Sequence, residues 1–282
     1  MIRPQKNIDY RMSLLTLFVV IACFSSSVKT TNAQCLSENK AYTTGEVLDY
    51  SVYYNWGIIW LDAGYVSFKV KKHIYLEKPV YHFDSYGSTH KSYDWLFKVR
   101  DRYQSYLDTE TLLPLWFHRE NYEGGFEVDY KYFFDWNQNR VFSYTQNSNR
   151  PYRKDTVYIP DCTYDVLSLI YYCRNLDFDH LEVNDTVPVK AIIDNEVYSL
   201  YVRYLGKEKI EDRNDHTYNA IKFSALLVEG TIFKGGEDLI VWVTDDKNRV
   251  PILVEAKILI GSVKAYFNNA SGLRNPMAAR LK

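Results

Sequence analysis

Apolar and polar residues alternate with a period of two in run after run of this chain. That spacing suits strands with one buried face. Leu48, Tyr50, Val52, Tyr54 and Trp56 alternate with Asp49, Ser51 and Asn55, and Val66, Phe68 and Val70 with Ser67, Lys69 and Lys71. The pattern returns at Val128, Tyr130, Tyr132, Phe134 and Trp136, at Tyr198, Leu200, Val202 and Tyr204, and at Ile221, Phe223, Ala225 and Leu227. Turn-forming pieces such as Glu123-Gly124-Gly125 and Asn137-Gln138-Asn139 separate the runs. About a dozen strands with such short connections predict antiparallel pairing, because a parallel crossover takes a dozen or more residues. The 26 tyrosines suit this reading: at half-buried sheet positions the ring packs while the hydroxyl stays wet, and some could line a cavity.

One segment breaks the period. Residues 163–174, after Pro160, are apolar almost all round and read as a short buried helix. Thr163 is the expected N-cap, Asp165 sits in the first turn, and Arg174 complements the other end of the dipole. Leu167 and Ile170, three apart, share the face expected to be buried. A single buried helix among many strands predicts a mainly β domain: one antiparallel, strongly curved or barrel-like sheet wrapping that helix. Near the C-terminus, Leu239 to Thr244 and the run from Val250 flank a hairpin loop, Asp245-Asp246-Lys247-Asn248-Arg249. Ile252, Val254, Ala256, Ile258 and Ile260 then share one face, but after Gly261 the apolar parity passes to Val263, Ala265 and Phe267. A strand bent or bulged at Gly261 accounts for the switch. Residues 268–282 lack alternation and are expected to fray.

Arg3, Lys6 and Arg11 precede an apolar run over 14–24 and a polar stretch over 25–34. The run is too short to span a bilayer, which needs about twenty residues, and reads as a secretory signal peptide over 1–33. Thr31-Asn32-Ala33 before Gln34 is the favoured cleavage site. Val20-Ile21-Ala22-Cys23 resembles a lipobox and stands as the alternative, with a lipid anchor at Cys23. The expected product is a single β-rich domain over 34–267, periplasmic or secreted, with no membrane span after cleavage. Cys35, Cys162 and Cys173 remain. If Cys162 and Cys173 flank one helix they stand about 16 Å apart, too far for a disulfide. Pairing of Cys35 with Cys162 and three free thiols both stay open.

A formal net charge of −1 without a basic cluster argues against a nucleic-acid partner. There is no G-x-S-x-G elbow, no C-x-x-C pair, and no ligand spacing among the six histidines, so no metal or cofactor is expected. Asp245-Asp246 could hold a hard cation, but turn preference explains the pair more simply.

Gly45-Glu46-Val47-Leu48-Asp49-Tyr50, then Ala63-Gly64, resembles the opening of the domain-of-unknown-function 3108 family of bacterial exported proteins. Asp165-Val166-Leu167-Ser168 with Tyr171-Tyr172-Cys173-Arg174 is similar to that family's central stretch, and Trp242 to Ile252 to its closing hairpin. The resemblance implies an exported protein and carries no activity. In architecture the chain is also similar to the curved half-barrel of lipoprotein carriers. Three function classes follow. The first is a non-enzymatic envelope protein that binds or carries an apolar, lipid-like ligand, with Tyr54, Trp56, Phe68, Tyr132 and Phe134 as the candidate lining. The second is an envelope assembly factor that binds protein or glycan. A glycan hydrolase with unmarked carboxylates is third.

Overall fold

The computed structural model describes residues 35, 38–56, 58–227, 236–257 and 261–281, all within one compact unit, Ala33–Lys282. The expected signal peptide, with Cys23 and the junction after Ala33, lies outside the described residues, as does the side chain of Trp56.

Among the described residues, fifteen strands form one sheet. The first eight make an antiparallel meander: β1 (Val47–Trp56), β2 (Ile59–Tyr75), β3 (Lys78–Thr89), β4 (Val99–Asp108), β5 (Pro114–Glu123), β6 (Phe126–Asp135), β7 (Arg140–Asn147) and β8 (Arg150–Tyr158). A second meander runs through β10 (Thr186–Ile193), β11 (Glu196–Glu211), β12 (Thr217–Leu227), β13 (Gly236–Thr244), β14 (Pro251–Lys257) and β15 (Ser262–Ser271). β15 pairs antiparallel with β1, Ala265 opposite Val52, and joins the two meanders. The short β9 (Thr163–Tyr164) adds in parallel to β10. β8 and β9 are therefore the two edges, and the sheet is not closed.

Local chemistry sets these reversals. Leu76-Glu77 between β2 and β3, and Asp194-Asn195 between β10 and β11, carry positive φ at both residues. Such mirror-image turns match the strand twist, and Asp-Asn tolerates them well. At Gly124 between β5 and β6, φ is +58° and a Cβ would lie 2.3 Å from the Phe97 ring, so glycine suits the backbone there and any larger residue would displace that ring.

Helix α1 (Val166–Cys173) follows β9 and packs on one face of the sheet, against β3 and β4 of the first meander and β9 and β10 at the far edge. Its N-cap is Asp165 rather than Thr163. Asp165 Oδ1 accepts from the amides of Leu167 and Ser168, both at 2.9 Å, while Oδ2 accepts from the Ser105 and Ser168 hydroxyls at 2.8 Å. Thr163 is held extended by its pairing with Lys190, which delays the first helical turn by two residues. Leu167 is buried as expected, but Ile170 is 43% exposed. The apolar character all round hid the fact that one side of α1 faces out. Tyr171 stacks on Phe83 at 3.7 Å between ring centroids, and Tyr42 meets both rings edge-on. One core cluster runs from Val70, Phe83, Leu107, Phe117 and Tyr132 of the first meander to Val202, Phe223 and Val243 of the second.

Two further expectations are corrected. The parity switch at Gly261 does not bend one strand. Lys257 pairs with Ser262, so the chain reverses between them and the alternation restarts on a new strand, β15. Of the expected fraying tail, 268–282, the described residues 268–281 do not simply fray: β15 continues to Ser271, and the Asn219 amide donates to the Ala279 carbonyl at 2.9 Å. Asn248 Nδ2 donates to the Asn275 carbonyl at 2.9 Å, and Ala279 is 2% exposed. These hydrogen bonds hold a segment that has no alternating pattern of its own. Cys35 and Cys162 form a disulfide with Cα atoms 5.0 Å apart, and Cys173 is a free thiol.

Candidate ligand-binding site

Antiparallel register places the β1–β2, β3–β4, β5–β6, β7–β8 and β10–β11 connections at one end of the sheet, the end toward which β1 runs. Glu46, at the start of β1, and the Asp245–Arg249 loop lie at the opposite end, near Arg174 at the C-cap of α1. Along the face that carries α1, Val70, Phe83, Ile221, Val243 and Ile252 are sealed near α1, none more than 2% exposed. Further along the same face the seal opens. Leu239, Ala256, Val263 and Tyr54 stand in register across β13, β14, β15 and β1, and all four remain part-exposed. Val254, Ala265 and Val52, one pleat nearer α1, are part-exposed too. Together they form an aliphatic wall.

The first meander supplies a polar wall at the same end. Val66, Gly87, Asp101, Asn121, Val128 and Asn147 stand in register from β2 to β7. One pleat nearer α1 the row reads Phe68, Ser85, Tyr103, Arg119, Tyr130 and Thr145. Asn121 donates to the Tyr103 hydroxyl at 2.8 Å and to Glu123 Oε1 at 3.0 Å. Arg119 lies between the rings of Tyr103 and Tyr130 and pairs with Asp194 of the β10–β11 turn at 3.1 Å. In the same turn, the Asn195 amide donates to the Tyr132 hydroxyl at 3.1 Å, so the two meanders touch here. Burial, then the charge of Glu123, raises the Asp101 carboxyl to about 7, against the opposing pull of Arg119. Four buried polar atoms in this region have no protein partner: Asp101 Oδ1, Asn121 Oδ1, Arg119 Nε and Asn195 Oδ1. A cleft of about 350 Å³, lined by Tyr130, Asn147, Arg150, Tyr152, Asp194 and Asn195 among others, adjoins the last of these; Asp101, Asn121 and Arg119 do not line it.

Of the five residues named from the sequence, the four whose side chains are described are not gathered in one place. Tyr54 ends the aliphatic wall. Phe68 packs edge-on against Tyr50 at 5.8 Å. Tyr132 is 1% exposed within the core, and Phe134 stacks on Trp136 toward the α1 end. None of the four lines the 350 Å³ cleft or a second, charged cleft of about 560 Å³ beside Arg174. The polar wall was missed. Its signal is parity: Arg119, Asn121 and Glu123 share the parity of core residue Phe117, as Asp101 and Tyr103 share that of Ser105 and Leu107. Among the described residues, no three His, Cys, Asp or Glu side chains are placed to hold a metal ion, and no helix is long and apolar enough to cross a membrane.

An open, single-sheet β domain of this kind defines a class of barrel-like β proteins. A crystal structure of a beta-barrel-like protein of domain of unknown function DUF1849 from Brucella abortus shares the fold at a TM-score of 0.54 and 8% identity, covering 83% of this chain and 99% of that one. The sequence matches the family described as "Protein of unknown function (DUF3108)" over residues 49–268, and the chain belongs to that family. No curated protein matches it.

Proposed function

We propose that this is an exported, non-enzymatic envelope protein that binds an apolar, lipid-like ligand. In this reading the sheet curls about α1, and the ligand lies against the aliphatic wall at the other end. The observation that carries it is the change in burial along one face: residues sealed near α1 give way to part-exposed Leu239, Ala256, Val263, Val254 and Val52. Contact between Arg119 and Asp194 across the meanders supports the curl. An eight-carbon chain on that wall grosses about 6 kcal/mol at ~0.8 kcal/mol per buried CH₂, before the costs of ordering. Titrating an environment-sensitive fatty-acid probe tests the reading. Saturable binding that weakens in a folded Val254→Asp variant is expected; no binding at tens of micromolar probe refutes it. Periplasmic or secreted location is part of the proposal. The intact mass of protein from the envelope fraction should place the N-terminus at Gln34, whereas a diacylated Cys23 would put the protein on a membrane.

A second reading, an envelope assembly or interaction factor, draws on the hairpin tips. Ile58 is 98% exposed, and Trp95, Leu96 and Phe97 are 80%, 64% and 54% exposed. If those tips alone matter, Trp95→Ser removes an envelope protein captured by crosslinking and leaves probe binding unchanged.

A further inference from the structure

Resting on the ligand-binding reading above, we propose that Asp101, Asn121 and Glu123 form a polar subsite for the ammonium head group of an amphiphile whose chain lies on the aliphatic wall. Asp101 and Asn121 face each other directly across β4 and β5. Residues so paired stand about 5 Å apart at Cβ, close enough for one small donor to reach both. Each offers a buried oxygen with no donor, and Asn121 is only 5% exposed. Leaving such acceptors dry costs free energy, so the arrangement calls for a group rich in N–H or O–H donors. On the β3 side no side chain crowds Asp101. The residue opposite Asp101 on β3 is Gly87, and a Cβ placed there would meet nothing nearer than 3.8 Å.

The charges choose among donors. The titratable and charged groups facing Asp101 are Tyr103 on its own strand, Arg119 and Glu123 on β5, Tyr130 on β6, and Asp194 on the β10–β11 turn. β3 contributes none opposite Asp101, since the partner there is Gly87. Three carboxyl groups against one guanidinium favour a cation over an anion, and Arg119 is already engaged by Asp194. An ammonium supplies three donors and a positive charge at the two open acceptors. A fatty carboxylate would bring a further anion beside Asp101 and Glu123.

The test is displacement of the fluorescent apolar probe by dodecylammonium, dodecanoate and dodecanol at pH 8, where the amine stays protonated. The ammonium should displace the probe at about tenfold lower concentration than the carboxylate, the scale of one or two charge-assisted hydrogen bonds. Asp101→Asn should abolish that preference while saturable binding of the probe persists, which shows that the variant is folded. Glu123→Gln serves as a second variant should the first fail to fold. In the unmodified protein the preference should weaken from pH 8 to pH 6, as the Asp101 carboxyl takes up its proton. Equal displacement by all three, or a preference for dodecanoate, overturns the subsite while probe binding keeps the wider reading. Absence of probe binding overturns both.

Discussion

Replacing Glu46 by Gln should cost about 3–5 kcal/mol of stability, the range for breaking one side of a buried ion pair. Glu46 is 1% exposed and Arg174 3%. The guanidinium reaches both carboxylate oxygens, at 2.5 and 2.9 Å, and also donates to the Asn248 carbonyl at 3.0 and 3.1 Å and the Ala41 carbonyl at 3.3 Å. One side chain thus ties the end of α1, the segment before β1, and the β13–β14 loop. Gln keeps one acceptor but turns an NH₂ group toward the guanidinium, and the arginine charge is left buried with only neutral carbonyls. Against a total of about 5–15 kcal/mol for a domain, that loss is a large fraction. Urea unfolding followed by tryptophan fluorescence measures it. The variant pair Glu46→Gln with Arg174→Met should lose less than the sum of the single changes, because removing both charges leaves neither stranded. A cost below about 1 kcal/mol for Glu46→Gln, the value of an exposed pair, would refute the claim that this ion pair is a buried keystone.

Removing the Cys35–Cys162 disulfide, which closes a loop with a sequence separation of 127, should lower stability by up to about 5 kcal/mol on the chain-entropy estimate; an unchanged melting temperature in Cys35→Ser would contradict it. Leu167→Ala should cost about 2–5 kcal/mol because the side chain is sealed in the core, whereas Ile170→Ala, at an exposed position, should cost under about 1 kcal/mol. Equal effects at the two positions would mean that α1 is turned differently. Asp101→Asn should change the pH profile of stability: its carboxyl is raised in the fold from 3.8 to about 7, so the folded state binds the proton more tightly and stability falls as pH rises from about 4 to 7. The variant should therefore gain relative to the unmodified protein across that window and show a constant difference above it; parallel urea midpoints from pH 5 to 8 would contradict this.

The sequence by itself determined the β character, the antiparallel meanders and the hairpin at Asp245 to Arg249, because period-two alternation and turn residues act locally. It also carried the family, through stretches around Gly45, Asp165 and Trp242. Other features needed partners distant in sequence. Asp165 rather than Thr163 caps α1 because β10 holds Thr163 extended, and Arg174 meets Glu46 across 128 residues rather than simply facing the helix dipole. The reversal before β15 looked like a bend, since a parity count cannot tell a kink from a turn without the pairing partner. The tail over 268–281 is held through hydrogen bonds to residues such as Asn219 and Asn248, which no periodicity within it announces. The candidate site shows the same division. Parity places Asp101, Arg119 and Asn121 on the core face, but only the assembled sheet decides that these polar side chains stand in register, toward the end where the aliphatic wall loses its cover.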